Sequence, residues 1–182
     1  MRVFVLSTGR CGSTTFERAC RHATNFTAGH ETNRRFAGDR RFDYPDQHIE
    51  SDNRLSWFLG TMARRFDPDE TFWVHLTREP DEVATSFTTR WDAPFHSSMI
   101  RAFAHGILIR QRWRPEERHD VARFYVDTVN DNIRAFLAGQ PRTMDFPLER
   151  AVELFPDFWS RIGAEGDLDA ALAEFGVRHN AS

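Results

Sequence analysis

A short apolar segment near the start of the chain is followed by residues that suit anion binding. The apolar segment covers residues 3–6, and the residues after it include Gly9, Arg10, Cys11, Gly12, Ser13, Thr14 and Thr15. Backbone N–H groups of a glycine-containing turn bind phosphate well when a helix begins directly after them, because the helix presents its positive end. The hydroxyl side chains add donors, and the arginine adds a positive charge. A tight turn with Ser13 as the helix N-cap accounts for the same pattern, so this loop alone does not decide the function.

The chain has no lysine, since all 24 of its basic residues are arginine. A Walker-type phosphate loop requires lysine directly before its Ser or Thr, and Gly12 holds that position. Schiff-base catalysis and a lysine general base are excluded for the same reason. A cysteine phosphatase loop requires Cys-x5-Arg, but Arg18 lies one position too far from Cys11. Cys11 as a nucleophile remains a minor alternative, because a helix N-terminus can lower a thiol pKa.

A second candidate anion site follows a later apolar segment. Residues 71–77 are nearly continuous in apolar and β-branched side chains, which predicts a buried strand, and Arg78 comes directly after it. An arginine at the end of such a strand can bind phosphate with two parallel hydrogen bonds. Pro80 predicts a helix start, and Ser86 lies two turns from Arg78, where it can share the same ligand. The alternative is a surface ion pair of Arg78 with Glu79 or Glu82, with Ser86 facing solvent.

Short strands and amphipathic helices alternate along the first half of the chain. Strands are predicted at residues 3–6, 25–28, 48–50 and 71–77, with helices starting near Ser13 and Pro80 and another over residues 55–66. Residues 30–47 have no clear period and are predicted to form a long loop with some helix. Helical spacing dominates later, around residues 99–108, 121–137 and 152–158, with a last strand at 143–146. The pattern predicts one α/β domain over residues 1–182, a three-layer sandwich with a parallel sheet of four to five strands and a helical C-terminal half.

The two anion sites together resemble those of sulfotransferases that use 3′-phosphoadenosine 5′-phosphosulfate (PAPS). Residues 6–14 resemble the 5′-phosphosulfate loop of that family, and Arg78 and Ser86 have the spacing of its 3′-phosphate ligands. Arginine at position 10 matches the branch of the family that has arginine instead of lysine in the loop. The resemblance implies a P-loop NTPase-like fold, PAPS as the sulfuryl donor, 3′-phosphoadenosine 5′-phosphate (PAP) as the product, and no metal.

The resemblance also suggests a general base. Members with an arginine loop commonly use a glutamate about twenty residues after that arginine, and Glu31 lies 21 residues after Arg10. His30 is the alternative base, because imidazole titrates near neutral pH. In an extended segment the two side chains point to opposite sides, so only one of them should face the acceptor. The competing interpretation of Glu31 is a surface carboxylate paired with Arg34 or Arg35.

Three further groups of residues are weaker candidates. Residues 52–54 (Asp-Asn-Arg) could contact acceptor hydroxyls, although helix N-capping by Asp52 is the favoured role. Residues 178–180 (Arg-His-Asn) resemble a late basic segment that closes over the nucleotide in some members of the family, and a frayed tail is the competing interpretation. The aromatic residues Trp91, Phe95 and Trp113 could line an acceptor pocket, with core packing as the favoured alternative.

The composition limits the partners. The 27 acidic residues outnumber the 24 arginines, giving a formal charge of -3, so no global cationic field attracts nucleic acid or an anionic membrane. The two cysteines and eight histidines have no metal-ligand spacing, and the chain has no apolar segment long enough to cross a membrane. We therefore expect a cytoplasmic enzyme without a metal.

The sequence does not identify the acceptor. The resemblance implies a hydroxyl or amine of a small molecule or glycan, and a carbohydrate or glycolipid is expected by analogy only. The alternatives are a divergent P-loop nucleotide or phosphate-handling kinase, and a non-catalytic nucleotide-binding protein. The sequence does not predict the oligomeric state.

Overall fold

The first strand lies at the centre of a parallel five-stranded sheet. This arrangement is seen in a computed structural model, which describes residues 1–93 and 98–177. The strands are β1 (Arg2–Leu6), β2 (Thr27–His30), β3 (His48–Ser51), β4 (Thr71–Thr77) and β5 (Thr143–Pro147). Their order across the sheet is β2-β3-β1-β4-β5, and every neighbouring pair is parallel. The predicted parallel sheet is confirmed, at the upper end of the expected number of strands.

Helices connect the strands and account for most of the second half of the described chain. They are α1 (Ser13–Cys20), α2 (Leu59–Arg65), α3 (Pro80–Thr89), α4 (Ser98–Arg101), α5 (Arg118–Leu137), α6 (Ala151–Ile162) and α7 (Leu168–Ala173). Short 3-10 turns occupy Gly38–Phe42, Asn53–Trp57, Pro115–Glu117, Leu148–Arg150 and Glu174–Gly176. A π-helical segment, Ala102–Ile107, continues α4.

Helices cover both faces of the sheet. Phe72 and Trp73 are neighbours on β4, so their side chains point to opposite faces. Phe72 packs against Phe158 of α6, with ring centroids 6.2 Å apart, and Trp73 packs against Phe136 of α5 at 4.9 Å. The sheet therefore lies between two helical layers, which confirms the predicted three-layer α/β sandwich.

Two predicted elements differ from the structure. The second strand begins at Thr27 instead of residue 25, because the side chain of Asn25 bonds to the turn at Gly163 and Glu165 and takes no part in pairing with β3. The single helix predicted over residues 55–66 is a 3-10 turn followed by α2. Phe58, between the two, has φ −120° and ψ 19°, which is outside the helical region.

The parallel strands place the candidate residues at one edge of the sheet, the edge formed by the carboxyl ends of the strands. The chain leaves β1 toward β2 on one side and returns to add β4 on the other side, so the order reverses at β1. Ligands of open parallel sheets bind outside the carboxyl ends of the strands at such a reversal. The loop after β1, Glu31 after β2, and Arg78 after β4 all lie at this edge.

Candidate functional site

The loop after β1 has an unusual backbone that presents a helix N-terminus. Gly9, Arg10 and Gly12 have positive φ angles of 82°, 62° and 81°. Gly12 directly precedes α1, and no side chain caps the helix there. The interpretation of Ser13 as an N-cap is therefore wrong, because Ser13 is the first residue of the helix. Its Oγ lies 3.0 Å from Nε2 of His30.

The two glycines of this loop are closely approached by neighbouring side chains. A Cβ atom on Gly9 would lie 2.8 Å from the side-chain nitrogen of Asn53, and one on Gly12 would lie 2.8 Å from Leu148 Cδ1. Glycine also adopts a positive φ without the steric cost that a Cβ brings. The positive φ favours glycine at both positions, and a Cβ at either would also require Asn53 or Leu148 to move.

Cys11 stabilises this loop from within. Its thiol lies 3.1 Å from Thr8 Oγ1 and 3.3 Å from the carbonyl oxygen of Gly9, and only 1% of the residue is exposed. The hydroxyl of Tyr125 donates to the Thr8 carbonyl at 2.7 Å and ties the loop to α5. Burial raises the pKa of the Cys11 thiol to about 11, so the thiolate is scarce at neutral pH. This environment disfavours Cys11 as a nucleophile and leaves only its backbone for ligand binding.

Three arginines converge beside the loop. Arg10 Nε and Arg90 Nη1 each donate to Ser86 Oγ over 3.1 Å, and Arg78 forms an ion pair with Glu82. Burial, followed by the charges of Arg90 and Arg78, lowers the pKa of Arg10. The predicted surface pair of Arg78 is therefore present, but Ser86 binds two guanidinium groups instead of facing solvent alone.

Glu31 lies at a turn in the chain directly after β2. Its φ of 54° ends the extended conformation of β2. Its carboxylate bonds Arg34 Nη1 at 2.6 Å through Oε2 and Arg54 Nη1 at 2.6 Å through Oε1. Burial raises the pKa of Glu31, but the two arginines outweigh it, so the pKa is lowered overall. The carboxylate is ionised at neutral pH and is only 14% exposed.

His30 and Glu31 both line the cleft. The expectation that their side chains point to opposite sides assumed an extended backbone through both residues, and the positive φ of Glu31 breaks that conformation. That only one of them faces the acceptor stays a prediction.

A buried polar network on β3 supports this turn. Glu50 is fully buried, and its carboxylate accepts the backbone N–H of Thr32 at 2.7 Å and contacts His48 Nε2 at 3.0 Å. The backbone N–H of Glu31 donates to the Ser51 carbonyl at 3.1 Å. Sequence reasoning missed this network. The sequence did carry a sign of it, because His48 and Glu50 occupy alternate positions of β3 and therefore lie on the same face of the strand.

Asp52 continues the network toward the cleft. Its Oδ1 accepts the backbone N–H of Arg54 at 2.8 Å, and Arg41 Nη2 lies 2.5 Å from its Oδ2. Burial raises the pKa of Asp52, and Arg41 acts against that rise. The favoured N-capping role of Asp52 is confirmed, here for a 3-10 turn. By capping this turn, Asp52 fixes the backbone of the arginine that contacts Glu31.

The loop after β1, the arginine cluster around Ser86, and the residues His30 and Glu31 line one cleft of about 1290 Å³. The predicted site residues that line it are Gly9, Arg10, Gly12, Ser13, Thr14, Thr15, His30, Glu31, Arg78 and Ser86, together with Asn53 and Arg54 of the weaker candidates. Residues that the sequence did not single out include Arg34, Phe87, Arg90, Leu148, Glu149, Arg150 and Glu153. Six arginines and three glutamates line the cleft, so its charge is positive although the chain is acidic. A local excess of arginine favours an anionic ligand.

The other predicted candidates lie elsewhere. Trp91 is 4% exposed and belongs to the core, and Trp113 packs against the core, as the favoured alternative predicts. Phe95 and residues 178–180 lie outside the described residues. Within residues 1–93 and 98–177, no three His, Cys, Asp or Glu side chains are grouped to hold a metal ion. No helix in this part of the chain has the length and apolar character of a membrane span.

No protein-family model matches the sequence, and no curated protein matches it either. Solved structures do match the fold. The sulfotransferase domain from the curacin biosynthetic pathway is 14% identical with a TM-score of 0.68, covering 97% of this chain and 78% of that one. The sulfotransferase domain from the Synechococcus PCC 7002 olefin synthase is 15% identical with a TM-score of 0.66, and the alignment covers 98% of this chain and 78% of that one.

A sulfotransferase from Alicyclobacillus acidocaldarius is 13% identical with a TM-score of 0.58, covering 98% of this chain and 86% of that one. All three alignments extend over nearly the whole chain, so the likeness is not confined to the first strand and the loop after it. The predicted resemblance in fold is therefore confirmed, and the chain has the fold of sulfotransferase domains.

Proposed function

We propose that the protein is a PAPS-dependent sulfotransferase, which moves a sulfuryl group from PAPS to a hydroxyl or amine of an acceptor. The main support is the convergence of two separate anion-binding groups on one cleft. The loop of Arg10 and the pair Arg78 and Ser86 are far apart in sequence, and Arg10 bonds Ser86 directly. A nucleotide with phosphates at both ends of its ribose requires two such groups within the length of one molecule.

The residues present fit this donor. The loop offers uncapped N–H groups at the start of α1 together with Arg10, which suits the 5′-phosphosulfate. Arg78, Ser86 and Arg90 offer charged and hydroxyl donors for a 3′-phosphate. Bound in this way, PAPS would supply the activated sulfuryl group.

Glu31 is the proposed general base. An ionised carboxylate has about four lone-pair sites, and its two arginine contacts leave capacity for an acceptor O–H. As the acceptor oxygen bonds to sulfur, Glu31 takes its proton, and the sulfur–oxygen bond to the nucleotide breaks. Arg10 and the loop N–H groups then stabilise the charge that develops on the departing phosphate.

His30 is the alternative base. Its Nε2 contacts Ser13 Oγ in the phosphate loop, which places it on the donor side of the cleft. We assign it to binding and orientation near the sulfuryl group, and Glu31 to proton removal. Sulfuryl transfer by this arrangement needs no metal, since arginines provide the positive charge.

The test is transfer of ³⁵S from labelled PAPS to a panel of carbohydrate, phenol and amine acceptors in EDTA. The proposal expects label on at least one acceptor, with transfer lost in Glu31→Gln. PAP binding without transfer to any acceptor would point to a non-catalytic nucleotide-binding protein. Magnesium-dependent ATP binding without PAP binding would overturn the proposal in favour of a divergent P-loop kinase.

A further inference from the structure

The hydroxyl group of Ser86 accepts two hydrogen bonds from arginine. Arg10 Nε and Arg90 Nη1 each lie 3.1 Å from its Oγ, and Arg90 Nη1 also lies 3.4 Å from the Ser86 carbonyl oxygen. A serine hydroxyl has two acceptor lone pairs and one O–H donor. Because the guanidinium groups occupy both lone pairs, the O–H is what remains for a further partner. That partner must be a hydrogen-bond acceptor.

The surrounding charge indicates that this acceptor is an anion. Arg10, Arg78 and Arg90 all line the cleft, and burial, followed by the charges of Arg90 and Arg78, lowers the pKa of Arg10. Among the described residues, no carboxylate pairs with Arg10, and Arg78 pairs with the exposed Glu82. Three neighbouring cations repel one another, and a bound anion relieves that repulsion.

Arg90 also has a possible structural role, because it directly follows the last residue of α3. A positive charge near a helix C-terminus is favourable, and the side chain reaches back to a carbonyl four residues earlier. Helix capping does not account for its bond to a side chain that lines the cleft. Arg64 provides a comparison, since it reaches the Gly60 carbonyl at 3.0 Å from the last turn of α2 and does not line the cleft.

We infer that Arg90 is a third guanidinium of the 3′-phosphate subsite and makes the cleft select nucleotides with phosphates at both the 3′ and 5′ positions. This inference rests on the proposed function. Arg90 contributes charge and polarises the Ser86 hydroxyl, which donates to the phosphate. A nucleotide with only a 5′-phosphate lacks the group that this hydroxyl and Arg90 would bind. Selectivity for PAP over 5′-AMP therefore depends on Arg90.

Calorimetric titration of PAP and of 5′-AMP tests this inference in the wild type, Arg90→Gln, Arg90→Lys and the control Arg64→Gln. A hydrogen bond to a charged group predicts that Arg90→Gln weakens PAP binding about 10- to 100-fold and 5′-AMP binding less than about 3-fold. Arg90→Lys keeps the charge, so its affinity for PAP should lie between those of the wild type and Arg90→Gln. Arg64→Gln should bind both nucleotides as the wild type does. The melting temperature of each unliganded variant verifies its fold.

Two outcomes separate this inference from the proposed function. If the wild type binds PAP and Arg90→Gln binds it equally well, or loses both nucleotides to the same extent, Arg90 has no role in 3′ selectivity and the inference is wrong. If the wild type itself binds no PAP, the proposed function fails.

Discussion

Glu50, fully buried on β3, accepts the backbone N–H of Thr32 over 2.7 Å, directly after the turn that aims Glu31 into the cleft. Glu31 has a positive φ, which is costly for a residue with a side chain, so neighbouring contacts must hold it. Gly29 adds to this arrangement, because a Cβ there would lie 2.3 Å from Thr32 Oγ1 and 2.7 Å from Glu50 Oε2. The position of Glu31 thus depends on a residue that never reaches the cleft.

Replacement of Glu50 should therefore affect turnover more than donor binding. Glu50→Ala leaves the Thr32 N–H and His48 without their acceptor, which predicts a loss of about 1–3 kcal/mol in the free energy of unfolding. Turnover should fall at least about 10-fold, while the Kd of PAP changes little. Glu50→Gln keeps a carbonyl acceptor and should retain most of the turnover. Urea unfolding, kinetics and calorimetry measure the three quantities.

The exposed Glu70→Ala is the control and should change none of these three quantities. Equal losses of PAP binding and turnover in Glu50→Ala would show that Glu50 supports the whole cleft and not Glu31 in particular.

Glu31→Gln should bind PAP normally and lose transfer, because an amide cannot take up the proton that leaves the attacking hydroxyl or amine. The pH dependence separates the two candidate bases. The pKa of Glu31 is lowered below the ordinary carboxyl value of 4.5, so the base stays ionised down to that range. With Glu31 as the base, turnover of the wild type should be lost only as the pH falls through the lowered pKa of this carboxyl group. Loss of turnover at a clearly higher pH would not fit Glu31 as the base. Turnover that persists in Glu31→Gln would move the base to His30 or elsewhere.

The arginine contacts of Glu31 should control where that loss occurs. Arg34→Gln removes one of the interactions that lower the pKa of Glu31, so the acidic loss of turnover should move to higher pH. The neighbouring Arg35 is exposed and does not line the cleft, so Arg35→Gln should leave the profile in place. Profiles of kcat against pH for both variants provide the comparison. Identical shifts in the two variants would indicate a general effect of net charge.

Cys11 should be unreactive in the folded protein. Both Cys11 and Cys20 are buried, and burial raises the pKa of each thiol. Iodoacetamide at pH 7.5 should label neither thiol until the chain is unfolded, as mass spectrometry can show. Cys11→Ala should keep transfer within about 3-fold and cost about 1–2 kcal/mol of stability through lost packing. Rapid alkylation accompanied by loss of transfer would instead support the minor alternative of a cysteine nucleophile.

The strongest sequence signals belonged to strands buried on both faces. β1 and β4 are continuous apolar segments, because helices cover both sides of the sheet there, and their bounds were predicted to within one residue. β2 is Thr-Ala-Gly-His, without a large apolar side chain, and is an outer strand that pairs with β3 alone. Its position is set by pairing with β3, which local sequence does not reveal. For this reason the predicted bounds, 25–28, lie two residues before the observed ones, Thr27–His30.

The candidate site was predictable where its residues follow strands directly. The loop after β1 and Arg78 after β4 meet because parallel strands bring their carboxyl ends to one edge. Arg54 was a weak candidate as a contact for the acceptor, but its ion pair with Glu31 is a tertiary contact that no motif marks, and the same holds for the support that Glu50 gives. Arg90 had a signal that was overlooked, since it lies one helical turn after Ser86 and on the same face of the helix.

The central claim is that the cleft binds a nucleotide with phosphates at both ends, and thermal unfolding with PAP in EDTA tests it most directly. At about 100 times the Kd, PAP should stabilise the wild type by about 2.7 kcal/mol, or roughly 5–10 °C in melting temperature. Arg78→Ala should abolish most of this shift without lowering the melting temperature of the free protein by a similar amount. No stabilisation of the wild type by millimolar PAP would contradict the account.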